Sequence, residues 1–166
     1  KKMEWQPYED TLSGVQCMFP NEPFLLEAIG KLQILMCMDM TSMSAYILTT
    51  FDVRSMEVPP DEDDMIKNFI ENYSSTGMGY RVKKKKRVNR NGYSAMEVLM
   101  HSSRAQPMRL LIAVKDGVYS IMVFSTESVN NGFLADRFFD SLSFKKTAPP
   151  GAKEWEILTD SLAAIE

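Results

Sequence analysis

The 166-residue chain is 45% apolar and 25% charged, which suits one folded domain with its own core and excludes a disordered or fibrous polymer. No apolar run approaches the roughly 20 residues that a membrane-crossing helix needs. The net charge of −3 is unevenly held: residues 81–90 carry seven cations and no acid, which leaves the rest of the chain at −10.

In chain order, the first residues are Lys1-Lys2 rather than Met, so the sequence reads as a processed or trimmed product whose start says nothing about export. A short strand follows around Val15–Pro23. From Lys31 to Met40 the even positions Leu32, Ile34, Met36, Met38 and Met40 are apolar, which predicts a strand with that face buried. Ala45 to Val53 alternates in the same way. The methionines Met36, Met38, Met40 and Met43 are read as core filler on this face rather than as an adaptable binding surface. Cys17 and Cys37 both fall in predicted strands; two cysteines are too few for a disulfide framework, and they read as buried thiols in preference to a bonded pair.

Pro59-Pro60 ends the strand region, and Asp61-Glu62-Asp63-Asp64 opens a helix whose dipole favours negative charge at that end. Met65, Phe69 and Tyr73, with Ile66 and Ile70 beside them, form its apolar stripe, and Gly77 and Gly79 close it. Asn91-Gly92 and Asp116-Gly117 are type I′ turn signals, because both central residues of that turn need positive φ. They predict two hairpins, 81–90 with Tyr93–Met100, and Arg109–Val114 with Val118–Phe124. The second pair is apolar on both sides and belongs at the centre of a sheet covered on each face. A helix over about 131–141 presents Leu134, Phe138 and Leu142. Beyond Pro149-Pro150-Gly151, Trp155, Leu158, Leu162 and Ile165 predict a short amphipathic helix on the same domain. The division is a main domain over 1–148 and this helix over 149–166.

With that order on the page, "VQCMFPNEP" (Val15 to Pro23) and "LADRFFDSLSF" (Leu134 to Phe144) resemble the PsbP/Mog-type α/β/α sandwich group. The matching residues are Phe19-Pro20 with Pro23, and Phe138, Phe139, Ser141, Leu142 and Phe144. The resemblance spans about Trp5 to Phe144 and implies an α+β fold: a mostly antiparallel sheet of six or seven strands with helices on both faces. Members of the group are mainly non-catalytic. They include extrinsic subunits on a photosynthetic membrane complex, binders of a small nuclear GTPase, and uncharacterised secreted or lipid-anchored bacterial proteins. This chain is most similar to the last kind, which implies export to the periplasm or a lipid anchor, with the cytoplasm as the alternative. No functional residue carries over, because the matched positions concern packing.

Catalytic and metal chemistry find little purchase. His101 is the single histidine, and no G-x-S-x-G elbow surrounds a serine. Zinc would want a tighter Cys/His spacing than this chain has. Asp61–Asp64 fail the calcium-loop pattern, with Ile66 at the turn glycine and Asn72 at the bidentate Glu, so they read as a helix start. Gly77-Met78-Gly79 lacks the third glycine of a phosphate cradle. No cofactor is expected. The rival to a non-catalytic module is a carboxylate-based hydrolase or lyase with His101 in support.

The basic strand is the candidate site. Arg81, Lys83, Lys84, Lys85, Lys86 and Arg87, flanked by Tyr80 and Tyr93, cannot lie in a central strand because both faces would be charged. The alternation puts Arg81, Lys83, Lys85 and Arg87 on one face, and Lys84, Lys86, Val82 and Val88 on the other. Solvated edge protection is one reading. The functional one is docking on an acidic protein or an anionic membrane surface. Nucleic acid is disfavoured, because few aromatics interleave the cations and the rest of the chain is acidic.

Overall fold

The structure is a computed structural model and describes residues 4–75 and 77–149; the stripe of Trp155, Leu158, Leu162 and Ile165 lies outside the described residues. The chain runs β1 (Gln6–Glu9), β2 (Val15–Phe19), β3 (Phe24–Ile29), β4 (Leu32–Asp39), β5 (Ser44–Asp52), α1 (Glu62–Ser74), β6 (Arg81–Arg90), β7 (Tyr93–His101), β8 (Met108–Lys115), β9 (Val118–Thr126), α2 (Gly132–Asp140) and β10 (Ser143–Phe144). The fold is mostly β: an antiparallel seven-stranded sheet in the order β3-β4-β5-β9-β8-β7-β6, and a three-stranded antiparallel sheet, β1-β2-β10.

Both predicted turns are present. Asn91 and Gly92 have φ of 45° and 81°, and Asp116 and Gly117 have 49° and 82°, the left-handed pair that a type I′ turn requires. The doubly apolar strands β8 and β9 lie at the centre of the large sheet, as their sequence demands. Their side chains divide between two buried clusters. Leu111, Ala113 and Met122 join Phe19, Tyr46, Leu134, Phe138 and Phe139, so this cluster is closed by α2 and the small sheet. Leu110, Ile112, Val114, Ile121 and Val123 join Ile66 and Ile70 of α1. Phe138 centres the first cluster, with its ring centroid 5.5 Å from Phe19 and 5.2 Å from Tyr46. Burying a side chain of this size stabilises by roughly 1.5–3 kcal/mol. Cover therefore comes from two α-helices and a second sheet, rather than from helical layers alone.

The helix starts are set locally. The Asp61 carboxylate accepts from the Asp64 backbone N–H at 3.2 Å, and Glu62, Asp63 and Asp64 fill the first turn of α1. Its seam is Ile66 and Ile70; Met65, Phe69 and Tyr73 flank this seam, half-buried, instead of forming it.

The face of β4 inverts the expectation. Leu35, Cys37 and Asp39 are buried, whereas Met38 is 44% and Met40 67% exposed. Register explains this. Met36 stands opposite Ile47, and Leu32 opposite Phe51, on the side where Ile47 and Phe51 edge the α1 cluster. No β4 residue joins the α1 cluster, so the even-numbered residues of β4 lie outside it. The odd-numbered ones face the small sheet, where Cys37 joins Cys17 as a buried free thiol. The reading of the methionines as core filler is corrected accordingly for Met38, Met40 and Met43, all exposed.

Candidate functional site

β6 forms one edge of the large sheet, the position its two-sided charge demands. A β-bulge at Lys83 interrupts its pairing with β7 between Val82 and Lys84. One extra residue reverses the side-chain alternation beyond it. Lys84, Lys86, Val88 and Arg90 stand opposite Leu99, Glu97, Ala95 and Tyr93, on the side of the α2 cluster. Val82, Lys85 and Arg87 stand opposite Met100, Val98 and Met96, on the side of α1. The strict alternation read from sequence is thus broken at Lys83, and Val82 parts from Val88.

The cations differ in their pairing. The Arg87 guanidinium donates to Asp63 at 3.0 Å, which ties β6 to the start of α1. Arg90 bridges Glu97 and Asp140, joining β7 and the end of α2. Burial lowers the pKa of Arg90, but the two carboxylates more than offset this and hold it above its ordinary value. Both anchored arginines lie toward the Asn91-Gly92 turn. Among the described residues, Arg81, Lys83, Lys84, Lys85 and Lys86 make no ion pair, and all five are exposed. The free charge is therefore concentrated in the half of the strand remote from the turn.

The flanking tyrosines do not extend this surface equally. Tyr80 is half-buried, and its hydroxyl donates to the Gln106 carbonyl at 2.7 Å. Tyr93 is 4% exposed, with its ring edge-on to Phe144 at 5.3 Å, and has no face to offer a partner. His101 faces Arg81 across the β6–β7 ladder. Among the described residues, no three His, Cys, Asp or Glu side chains gather within ligating reach of one another.

A second corner escaped the sequence reading. The β1–β2 turn, the end of β5, the β8–β9 hairpin and the chain after β10 converge around Arg54. Its guanidinium donates to both Asp52 carboxylate oxygens (3.0 and 2.9 Å), to the Leu12 carbonyl (3.1 Å) and to the Thr147 carbonyl (2.7 Å). Gly14 and Gly117 permit the close approach. A Cβ on Gly14 would lie 1.9 Å from the Lys145 carbonyl oxygen, and one on Gly117 2.9 Å from Arg54 Cγ. Beside this clamp opens a cleft of about 800 Å³. The meeting of Arg54 with Thr147 is set by topology across 93 residues, which no local signal announces.

No family model matches the chain, and no curated protein matches it. Solved structures do. The solution structure of cyanobacterial PsbP (CyanoP) from Synechocystis sp. PCC 6803 superposes with a TM-score of 0.65 at 12% identity, covering 87% of this chain and 95% of that one. The chain has a PsbP-like fold. PA94, a Pseudomonas aeruginosa protein of unknown function, is similar at a TM-score of 0.52 and 14% identity, covering 86% of this chain and 99% of its own. At such identities the PsbP-like likeness concerns the fold. No helix among the described residues is long and apolar enough to cross a membrane.

Proposed function

We propose that this PsbP-like domain is a non-catalytic accessory module that docks an acidic protein segment along the β6 edge. The observation that carries the reading is the run of five exposed cations, Arg81, Lys83, Lys84, Lys85 and Lys86, which among the described residues have no ion-pair partner and lie on a strand with no neighbour on its outer side. An extended segment can add to such an edge through main-chain hydrogen bonds, with side-chain chemistry setting its choice. Cations on both sides of β6 suit an acidic strand, since each opposite-charge cross-strand pair stabilises by roughly 0.2–1 kcal/mol. The resemblance to exported, lipid-anchored proteins supports a place for the module outside the cytoplasm, with the cytoplasm as the alternative.

Replacing Lys83, Lys84, Lys85 and Lys86 with Ser tests this. A fluorescent polyglutamate peptide and vesicles containing phosphatidylserine serve as the two probes, titrated at low and physiological salt. The wild-type domain is expected to bind the peptide in a salt-sensitive way, and the variant to lose binding while its circular dichroism and melting temperature are kept. Unchanged peptide binding by a folded variant overturns the reading, and binding to vesicles alone replaces the protein partner with a lipid surface.

A further inference from the structure

The cleft beside Arg54 is independent of the β6 edge. Its wall is locked: Lys145 N–H donates to the Gly14 carbonyl at 2.7 Å, and Val53 N–H to the Gly117 carbonyl at 3.0 Å. The Thr147 hydroxyl donates to the Leu12 carbonyl at 2.9 Å, in addition to the four Arg54 bonds. A cavity whose walls are tied by hydrogen bonds from four segments is formed before any ligand arrives, which lowers the ordering cost of binding. Its volume lies within the roughly 300–1,000 Å³ usual for small-molecule sites.

The lining has two halves. Val53, Met56, Val118 and Phe144 supply an apolar floor. Lys115, Lys145 and Lys146 stand at the rim with Asp116 as the one acid, while Arg54 is already neutralised by Asp52. Lys145 is weakly engaged, 3.6 Å from Glu9 and 63% exposed. With Lys145 shared with Glu9, Lys115 and Lys146 against Asp116 leave a net positive rim that selects an anion, and an apolar floor beneath them selects one with a hydrocarbon body. A phosphate would favour a free guanidinium fork, and four of the five N–H donors of this one are already taken.

We propose that this cleft binds a small amphipathic carboxylate, its apolar body against Val53, Val118 and Phe144 and its headgroup held by the rim lysines. The probe is dodecanoate below its micelle concentration, titrated into the full chain with labelled Val and Met methyls and followed by nuclear magnetic resonance. Saturable shifts are expected at Val53, Met56 and Val118. Dodecanol and the Lys115→Ser/Lys146→Ser variant should each bind about tenfold more weakly, since the charge-assisted contacts are lost. These lysines lie at the rim, and unchanged methyl positions in the free variant verify its fold. The proposal is overturned by non-saturable shifts, or by shifts centred on the exposed Met38, Met40 and Met43, which mark surface adsorption. Equal binding of dodecanol overturns the role of the charges. Contacts in the ligand-free chain between Val118 and residues beyond Pro149 overturn it too, because the chain's own continuation would then fill the cleft.

Discussion

Replacing Arg54 with Ala should destabilise the domain by about 3 kcal/mol, and the figure follows from what the side chain holds. Arg54 and Asp52 form a bidentate pair with side chains only 11% and 8% exposed. Removing one partner of a buried pair leaves the other charge without its counter-ion and costs about 3–5 kcal/mol. Asp52 would keep the backbone N–H of residue 54, at 3.1 Å, and water could enter the vacated space, which places the loss at the lower end. The Leu12 and Thr147 carbonyls would also lose their donor. For a domain of this size, about 3 kcal/mol lowers the melting temperature by about 6–12 °C. Urea denaturation of Arg54→Ala, Asp52→Asn and the double variant measures the coupling. The double variant should lose only about half as much as Arg54→Ala, because no uncompensated buried charge is left. A loss below about 1 kcal/mol for Arg54→Ala, or strict additivity in the cycle, would refute the clamp.

Gly14→Ala should cost about 2 kcal/mol or more in the same denaturation assay, since φ of +85° is strained for alanine and the new methyl meets the Lys145 backbone; a near-neutral result would mean that the turn and the strand exit can part freely. Alkaline pH should unfold the domain through its tyrosines. Burial raises the pKa of all six (Tyr8, Tyr46, Tyr73, Tyr80, Tyr93 and Tyr119), and that of Tyr8 reaches about 12. The neutral phenols stabilise the fold fully below pH 10, and this contribution is lost as pH rises toward 12, because the unfolded chain ionises first. Melting temperature should stay level up to about pH 9.5 and fall above pH 10, with phenolate absorbance rising together with unfolding; ionisation at the ordinary tyrosine pKa in a still-folded chain would contradict this.

What was legible in the sequence was whatever short-range chemistry fixes. Asn91-Gly92 and Asp116-Gly117 specify their turns through φ alone, and Asp61 specifies the start of α1 through its own carboxylate. The unbroken apolar runs of β8 and β9 placed them centrally, and the charge of β6 placed it at an edge. Features that depend on distant partners were illegible. β3, every residue of which is exposed, went unread because it has no buried face to impose a period of two. In β4 alternation pointed to the wrong face: Leu32, Ile34, Met36 and Met38 are all apolar, yet Leu35, Cys37 and Asp39 of the more polar set are the buried ones, because that set faces the small sheet. The bulge at Lys83 has no signature in a run of four identical lysines. Arg54 looked like any surface arginine until residues 12 and 147 arrived beside it.

The charge on β6 exceeds what edge protection asks for. One or two lysines on an edge strand suffice to discourage pairing with another sheet. Same-side neighbours in a strand lie about 7 Å apart, and unit charges at that distance repel by roughly 0.6 kcal/mol in water. Lys84 and Lys86 form one such pair on the α2 side. Acids of the same chain neutralise Arg87 and Arg90 at the turn end, so the fold has the means to quench this strand and, among the described residues, does so only there. Leaving the other five cations unpaired keeps a small repulsive cost in the folded state, which an acidic partner would relieve on arrival. The relief shrinks as salt rises and the Debye length falls from about 10 Å at 0.1 M toward 3 Å at 1 M. If those cations serve only as edge protection, quenching them should leave every association unaffected. If they serve as a docking surface, placing Glu at a neighbouring position such as Leu99, opposite Lys84, should weaken peptide binding as surely as removing the lysines.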